Sequence, residues 1–311
     1  MAKAFARLLS LQRSVYPFRI VAAHTLRHGT AYDPKGLPFD PPFGPPATSV
    51  DDFLDHSRAD VAIELTTLNP ETGEPAASHL SAAIGRGMHA ITANKGSIAH
   101  AYAKLCEQAK QAHVEFRFES IVMDGAPVFN TLRNNLPGVK VLGFTGVLNS
   151  TSNLVIDAME RGLSMEQAIL EAQRIGIAEA NPFYDLDGWD SAVKTAALAN
   201  VLMNADTNPK AVRRAGVRDF TPERIRELAD AGQTVRLVSR AERSAAGNIQ
   251  LQVQPEVMSR SDLLAAPRST SNLLLFHTDL MGTIGTISLH PGIEQTAYGL
   301  FSDLVEIARS V

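Results

Sequence analysis

The stretch from Glu179 to Lys194, E-A-N-P-F-Y-D-L-D-G-W-D-S-A-V-K, gathers four acids (Glu179, Asp185, Asp187 and Asp190) around one lysine. A lysine held beside carboxylates in apolar surroundings suits proton transfer at an alcohol or carbonyl carbon. Burial and neighbours tune its pKa, and its ammonium polarises a carbonyl oxygen. From Asp190 onward the pattern D-S-A-V-K-T-A-A-L-A-N-V-L-M is rich in Ala and Leu and predicts a buried helix. Asp190 stands at its start, where a carboxylate meets free amides and the positive end of the dipole. Lys194 follows one turn later on the same face. The same spacing also describes a helix cap with an i,i+4 ion pair, worth only about 0.3–0.5 kcal/mol. Upstream, Asn181-Pro182 and Gly188 interrupt any helical period.

The elements that position this stretch follow from hydrophobic pattern and punctuation. Residues 2–13 predict an amphipathic helix and 19–23, R-I-V-A-A, a buried strand. A Pro/Gly-rich loop runs from Gly29 to Pro46. Helices are expected at 49–56, 79–87 and 98–112, with strands at 60–65, 90–92 and 114–118 between them. Strands and helices alternating at this pace indicate a parallel α/β sheet. Past Glu119 the character changes: Gly125-Ala126-Pro127 opens a turn, 139–147 is strand-like, and Ser164 with Gln167 forms a capping-box pattern. Thr221-Pro222 opens another helix, short β runs occupy 234–289, and a last helix spans 296–309. The expected architecture is α/β: a Rossmann-like dinucleotide-binding domain (1–128 plus 291–311) with an inserted α+β substrate-binding and dimerisation domain (129–290).

A chain of 311 residues has room for two cores. With 45% hydrophobic and 20% charged residues it reads as an ordinary globular protein, and a net charge of -4 argues against a nucleic-acid partner. The single cysteine, Cys106, excludes a disulfide framework and fits a reducing cytoplasm. No apolar run reaches the length of a membrane span, and the nine histidines show no metal-ligand spacing; His24 and His28 fall in a strand-to-loop region.

Several stretches together resemble the homoserine dehydrogenases, which interconvert homoserine and aspartate semialdehyde with a nicotinamide cofactor. They are A-I-E-L-T-T at 62–67, G-M-H-A-I-T-A-N-K-G at 87–96, F-E-S-I-V-M-D-G-A-P at 118–127, L-N-S-T-S-N at 148–153, the run from Ala178 to Lys194, and H-P-G-I-E-Q-T-A at 290–297. The resemblance implies that Lys194 exchanges the alcohol proton and Asp190 assists it. Glu179 and Asp185 correspond to acids that bind the substrate's α-amino group, and Lys95 to a lysine between cofactor and substrate. Thr66, Thr67 and Thr92 stand at strand ends where an open α/β sheet binds its ligand, and Gly292 matches a glycine passing close to the cofactor. Glu119, Val122, Asp124 and Ala126 correspond to a monovalent-cation (sodium) site; a tight turn positioning Pro127 explains the same residues.

Two departures stand out. The first strand and its G-x-G-x-x-G turn, whose amides hold a pyrophosphate, are not found, and the numbered chain opens on the helix. The acid expected near the ribose is replaced by H-T-L-R-H-G, with Arg27 and His28, which favours NADP over NAD. The chain ends at Val311, so the regulatory ACT domain of some relatives is not expected. The implied assembly is a cytoplasmic homodimer acting on a small molecule. A related dehydrogenase for another small amino acid, or an inert homologue serving as a dimeric binding subunit, are the alternatives.

Overall fold

The computed structural model describes residues 1–178, 181–244 and 246–310. The first part runs through α1 (Ala2–Gln12), β1 (Ala22–Thr25), β2 (Gly29–Tyr32), α2 (Val50–Ser57), β3 (Val61–Glu64), α3 (Ala76–Ile84), β4 (His89–Thr92), α4 (Lys95–Gln111) and β5 (Phe116–Arg117). The second part holds β6 (Val141–Val147), α5 (Ser150–Glu160), α6 (Met165–Arg174), α7 (Phe183–Leu186), α8 (Trp189–Met203), β7 (Arg213–Arg214), α9 (Pro222–Asp230), β8 (Gln233–Arg243), β9 (Ile249–Ser259), β10 (Asn272–Thr278) and β11 (Thr283–Ser288), after which α10 (Ile293–Ser310) packs on α1.

β3, β4 and β5 pair in parallel in that order, the alternating strand-and-helix half that the pattern predicts. The second sheet runs β11-β10-β6-β8-β9-β7 and is antiparallel except where β7 joins β9. Its strands are longer than the short runs expected, β8 and β9 having 11 residues each. The segment read as a buried strand at 19–23 is displaced. Ala22–Thr25 pairs antiparallel with Gly29–Tyr32 as a separate, half-buried hairpin. Gly29 closes it at φ +86°, where a Cβ would lie 2.0 Å from the Gly44 carbonyl oxygen, so no other residue fits. The segment therefore finds its hydrogen bonds locally rather than in the parallel sheet.

Apolar side chains from both sheets merge into one continuous core, including Leu80, Ile98, Leu105, Phe144, Leu198, Leu237 and Phe276. α8 runs through it with all of its alanines buried, as expected of a helix apolar on every side. Its small side chains let α4 come close, and Asn200 of α8 donates to the Ile98 carbonyl of α4 at 3.1 Å. A second cluster joins Phe5 and Leu9 of α1 to Leu300, Phe301 and Leu304 of α10. α10 also crosses the turn at Gly125, where a Cβ would stand 1.9 Å from the Gln295 carbonyl oxygen. Among the described residues, no helix is long and apolar enough to cross a membrane.

Candidate active site

Four elements begin where the two sheets meet. Lys95 is the first residue of α4, Asn149 caps α5, Asp185 lies in the single turn α7, and Asp190 sits in the first turn of α8. Gly188, at φ +80°, turns the chain between α7 and α8 and so aims both acids into one space. The short-range signals of the sequence are realised here: the break at Gly188, the buried helix after it, and Lys194 one turn beyond Asp190.

Asp190 is held between two lysines. Its Oδ1 lies 3.2 Å from Lys95 Nζ and its Oδ2 3.1 Å from Lys194 Nζ. Lys194 Nζ also donates to the Leu148 carbonyl at 2.6 Å. Asn149 Nδ2 donates to Asp190 Oδ2 at 3.0 Å and to Asp185 Oδ1 at 3.1 Å, and Thr151 Oγ1 donates to Asp185 Oδ2 at 2.7 Å. Each oxygen of both carboxylates thus has a partner, as buried charge requires.

Burial alone would raise the Asp190 carboxyl, but Lys194 and Lys95 pull it well below the usual range, and it is ionised. Asp185 is pushed up, first by burial and then by Asp190, with Thr151 and Asn149 opposing the rise. Burial works against the Lys194 charge, yet Asp190, Asp124 and Asp185 outweigh it, so its ammonium persists above the ordinary lysine value. The resting site therefore holds a buried ammonium stabilised by the carboxylates around it. The buried Tyr184 hydroxyl has no hydrogen-bond partner among the described residues, and burial followed by the Asp190 and Asp185 charges keeps it protonated.

The other sequence-derived residues fall as follows. Glu179 lies outside the described residues. Asp187 pairs with Arg218 at 2.5 Å, while Arg214 stacks over Trp189 at 3.9 Å; together they pin the turn between α7, which carries Asp185, and α8. Thr66 and Thr67 are exposed at the end of β3, and Thr92 is buried at the end of β4. The Thr66 hydroxyl and amide both donate to Glu64 Oε1, at 2.5 and 2.6 Å, and the Thr92 hydroxyl to Glu64 Oε2 at 2.8 Å. These two hydroxyls thus join the strand ends. Asn94 adds a second tie, donating to the Thr66 carbonyl at 3.2 Å while capping α4. Glu64 and Asn94 escaped the sequence reading although both lie inside the matched segments. The Gly292 amide donates to Gln295 Oε1 at 2.9 Å at the start of α10, and nothing lies within 3.4 Å of a Cβ there.

Glu119 is buried, and its carboxylate accepts the amides of Val128, Phe129 and Asn130 at 2.5, 2.8 and 2.8 Å. Asp124, at φ +58°, accepts from the Thr296 hydroxyl at 3.1 Å. Val122 is buried and Ala126 half-buried in the same turn. Beneath it, Asp303 accepts the Glu119 amide at 2.7 Å, and burial pushes its carboxyl up to about 7.

A parallel α/β half and an antiparallel half thus share a lysine–carboxylate–lysine chain, an arrangement suited to moving a proton beside a bound ligand. The sequence matches the family model for homoserine dehydrogenase over residues 127–305 and that for the homoserine dehydrogenase NAD binding domain over residues 2–119. It is 36% identical over 252 residues to an NAD(+)-dependent homoserine dehydrogenase of Pseudomonas canavaninivorans, covering 81% of this chain and 72% of that one. Identity to the homoserine dehydrogenase of Methanocaldococcus jannaschii is 34% over 260 residues, 83% and 76% of the two chains. Among solved structures, a homoserine dehydrogenase from Thiobacillus denitrificans superposes with a TM-score of 0.77 at 29% identity, over 85% of this chain and 61% of that one. A hyperthermophilic archaeal homoserine dehydrogenase in complex with NADPH shares the fold, with a TM-score of 0.83 over 99% and 94% of the two chains at 23% identity. The chain belongs to the homoserine dehydrogenase family and is an oxidoreductase.

Proposed function

We propose that the protein interconverts L-homoserine and L-aspartate 4-semialdehyde in the aspartate pathway towards threonine, methionine and isoleucine, with Lys194 exchanging the alcohol proton. One observation carries the reading. An ammonium has three donors, and Lys194 spends one on the Leu148 carbonyl and one on Asp190. The third is left for a substrate oxygen. In the reductive direction Lys194 protonates the forming alkoxide; in the oxidative direction it takes the proton from the alcohol. Asp190 holds the ammonium in place and is itself steadied by Lys95. Asp185 and Glu179 receive the substrate's α-ammonium, and the starts of α4, α5 and α8 offer positive potential to its carboxylate.

The nicotinamide cofactor supplies or accepts the hydride at the substrate carbon. The carboxyl ends of β3 and β4 suit its nicotinamide end, because open α/β sheets bind ligands there. Thr66, Thr67, Thr92, Lys95 and Gly292 are the residues that would line it. For the phosphorylated cofactor we rely on Arg27, exposed at the β1–β2 turn with no ion pair among the described residues. A monovalent cation at Glu119, Val122, Asp124 and Ala126 would share the Glu119 carboxylate with three backbone amides, which leave one of its roughly four acceptor positions; no step runs through a cation.

We assign residues 1–128 and 291–311 to cofactor binding and 129–290 to substrate binding and dimerisation. The packing of α10 on α1 supports the first grouping. Exposed Val257, Leu263, Leu280, Met281, Ile287 and Leu289 support a homodimer through the second sheet. A single cysteine supports the cytoplasm.

The test is steady-state kinetics with homoserine and both cofactors. Lys194→Ala is expected to lower kcat by about two to four orders of magnitude, the scale of a positioned acid–base group, with cofactor affinity unchanged. A variant that melts slightly earlier yet turns over normally would leave Lys194 as the partner of a helix-start ion pair.

A further inference from the structure

Asn149 is absent from the charged set that carries the proposed chemistry, yet it touches two members of it. Its Nδ2 stands 3.1 Å from Asp185 Oδ1 and 3.0 Å from Asp190 Oδ2, while its Oδ1 accepts the Ser152 amide at 2.8 Å as the N-cap of α5. The residue is 3% exposed. Chemistry fixes which way the amide faces. A helix amide only donates and an ionised carboxylate only accepts, so the oxygen must face the helix and the NH2 the acids. One buried side chain therefore places its two N–H bonds on two different carboxylates where like charges meet.

A capping residue needs none of this. Ser or Asp at the same position satisfies the Ser152 amide equally well. What only an amide supplies here is an acceptor for the helix together with two donors for the acids. Without those donors, two buried carboxylates brought close oppose each other's ionisation, and the geometry that keeps Asp190 on its lysines is lost. We propose that Asn149 is a positioning residue for the dehydrogenase reaction: its amide bridges Asp185 and Asp190 and fixes their separation, so that Asp190 stays on Lys95 and Lys194 while Asp185 stays open to the substrate ammonium. The proposal rests on the reading of Lys194 as the proton-transfer group. Among the described residues, the ionisable groups around the bridge are Asp185 and Tyr184 on α7, Asp190 and Lys194 on α8, Lys95 on α4, and Asp124 on the turn that α10 crosses, and they enter its pH behaviour.

Two variants separate bridging from capping. Asn149→Asp keeps the shape and the cap but exchanges the bridging donor for a third carboxylate. Asn149→Ser keeps the cap and adds no charge. In both, kcat/KM for homoserine is expected to fall about ten- to a hundredfold, the scale of a slightly misplaced reacting group, with cofactor KM unchanged. The acid limb of kcat/KM against pH is expected to move to higher pH in both, and further in Asn149→Asp. Should Asn149→Asp fail to fold, Asn149→Ser decides alone. A folded Asn149→Ser enzyme with wild-type kcat/KM and a wild-type acid limb overturns the proposal and leaves Asn149 a helix cap. Wild-type turnover by Lys194→Ala would instead remove the reading beneath it, so the two failures are distinct.

Discussion

Asp185, Asp190 and Lys194 are enclosed, and every oxygen of the two acids meets a donor within 3.2 Å. Across the junction, Thr66 and Thr67 are exposed, and the Thr66 and Thr92 hydroxyls are turned onto Glu64. The contrast between these two regions is one of material. The proposed substrate side is made of side chains whose charges set one another, so single substitutions there are expected to act on rate. The proposed cofactor side offers strand ends and helix starts, so side chains there are expected to act mainly by holding the backbone in place. A ligand that is largely phosphate and sugar is well served by amides; a step that moves one proton needs a titratable group.

The largest test of this contrast uses pH. On the proposed mechanism, homoserine oxidation needs Lys194 without its proton, and the neighbouring acids raise its pKa above the ordinary lysine value. The oxidation rate is therefore expected to climb roughly tenfold per pH unit through the alkaline range. Reduction uses the ammonium and should stay flat over the same range. An oxidation rate that levels off below about pH 9 would remove Lys194 as the base. Next in size is Glu64→Ala on the cofactor side. It frees three donors at the ends of β3 and β4, so a stability loss of about 1–3 kcal/mol is expected, with cofactor KM raised about tenfold and kcat little changed. A fall in kcat with cofactor KM intact would blur the division between the two regions. The smallest effect belongs to Arg27→Ala, because the group is exposed. We expect a several-fold rise in KM for NADP and none for NAD; equal changes for both would remove the assignment of Arg27 to the 2′-phosphate.

The sequence made one of the two regions much easier to read. Asp190 and Lys194 are four residues apart on one helix, and Ser164 and Gln167 make the reciprocal capping box that their spacing predicts. Such signals survive because they depend on neighbours within a turn. Asn149 and Glu64 depend on partners up to 41 and 28 residues away, and nothing local distinguishes a bridging amide from a cap or a buried glutamate from a solvated one. The 19–23 segment failed for a related reason. Its apolar run was legible, but pairing is decided by which strand lies alongside, and the partner is Gly29–Tyr32. The orientation of Glu119 into three amides was likewise invisible, since acidic side chains at a turn look the same whether they face an ion or the backbone.

The ion pair between Lys95 and Asp190 joins the parallel-sheet half to the antiparallel one at the site itself. The proposed acid–base unit is therefore not modular. A chimera that exchanges the first half for that of a relative imports one of the two cations that Asp190 answers to, together with the α4 surface on which α8 is packed. On the proposed roles, cofactor choice and proton chemistry are inherited together: a graft aimed at the first must carry a matched lysine at position 95 to preserve the second.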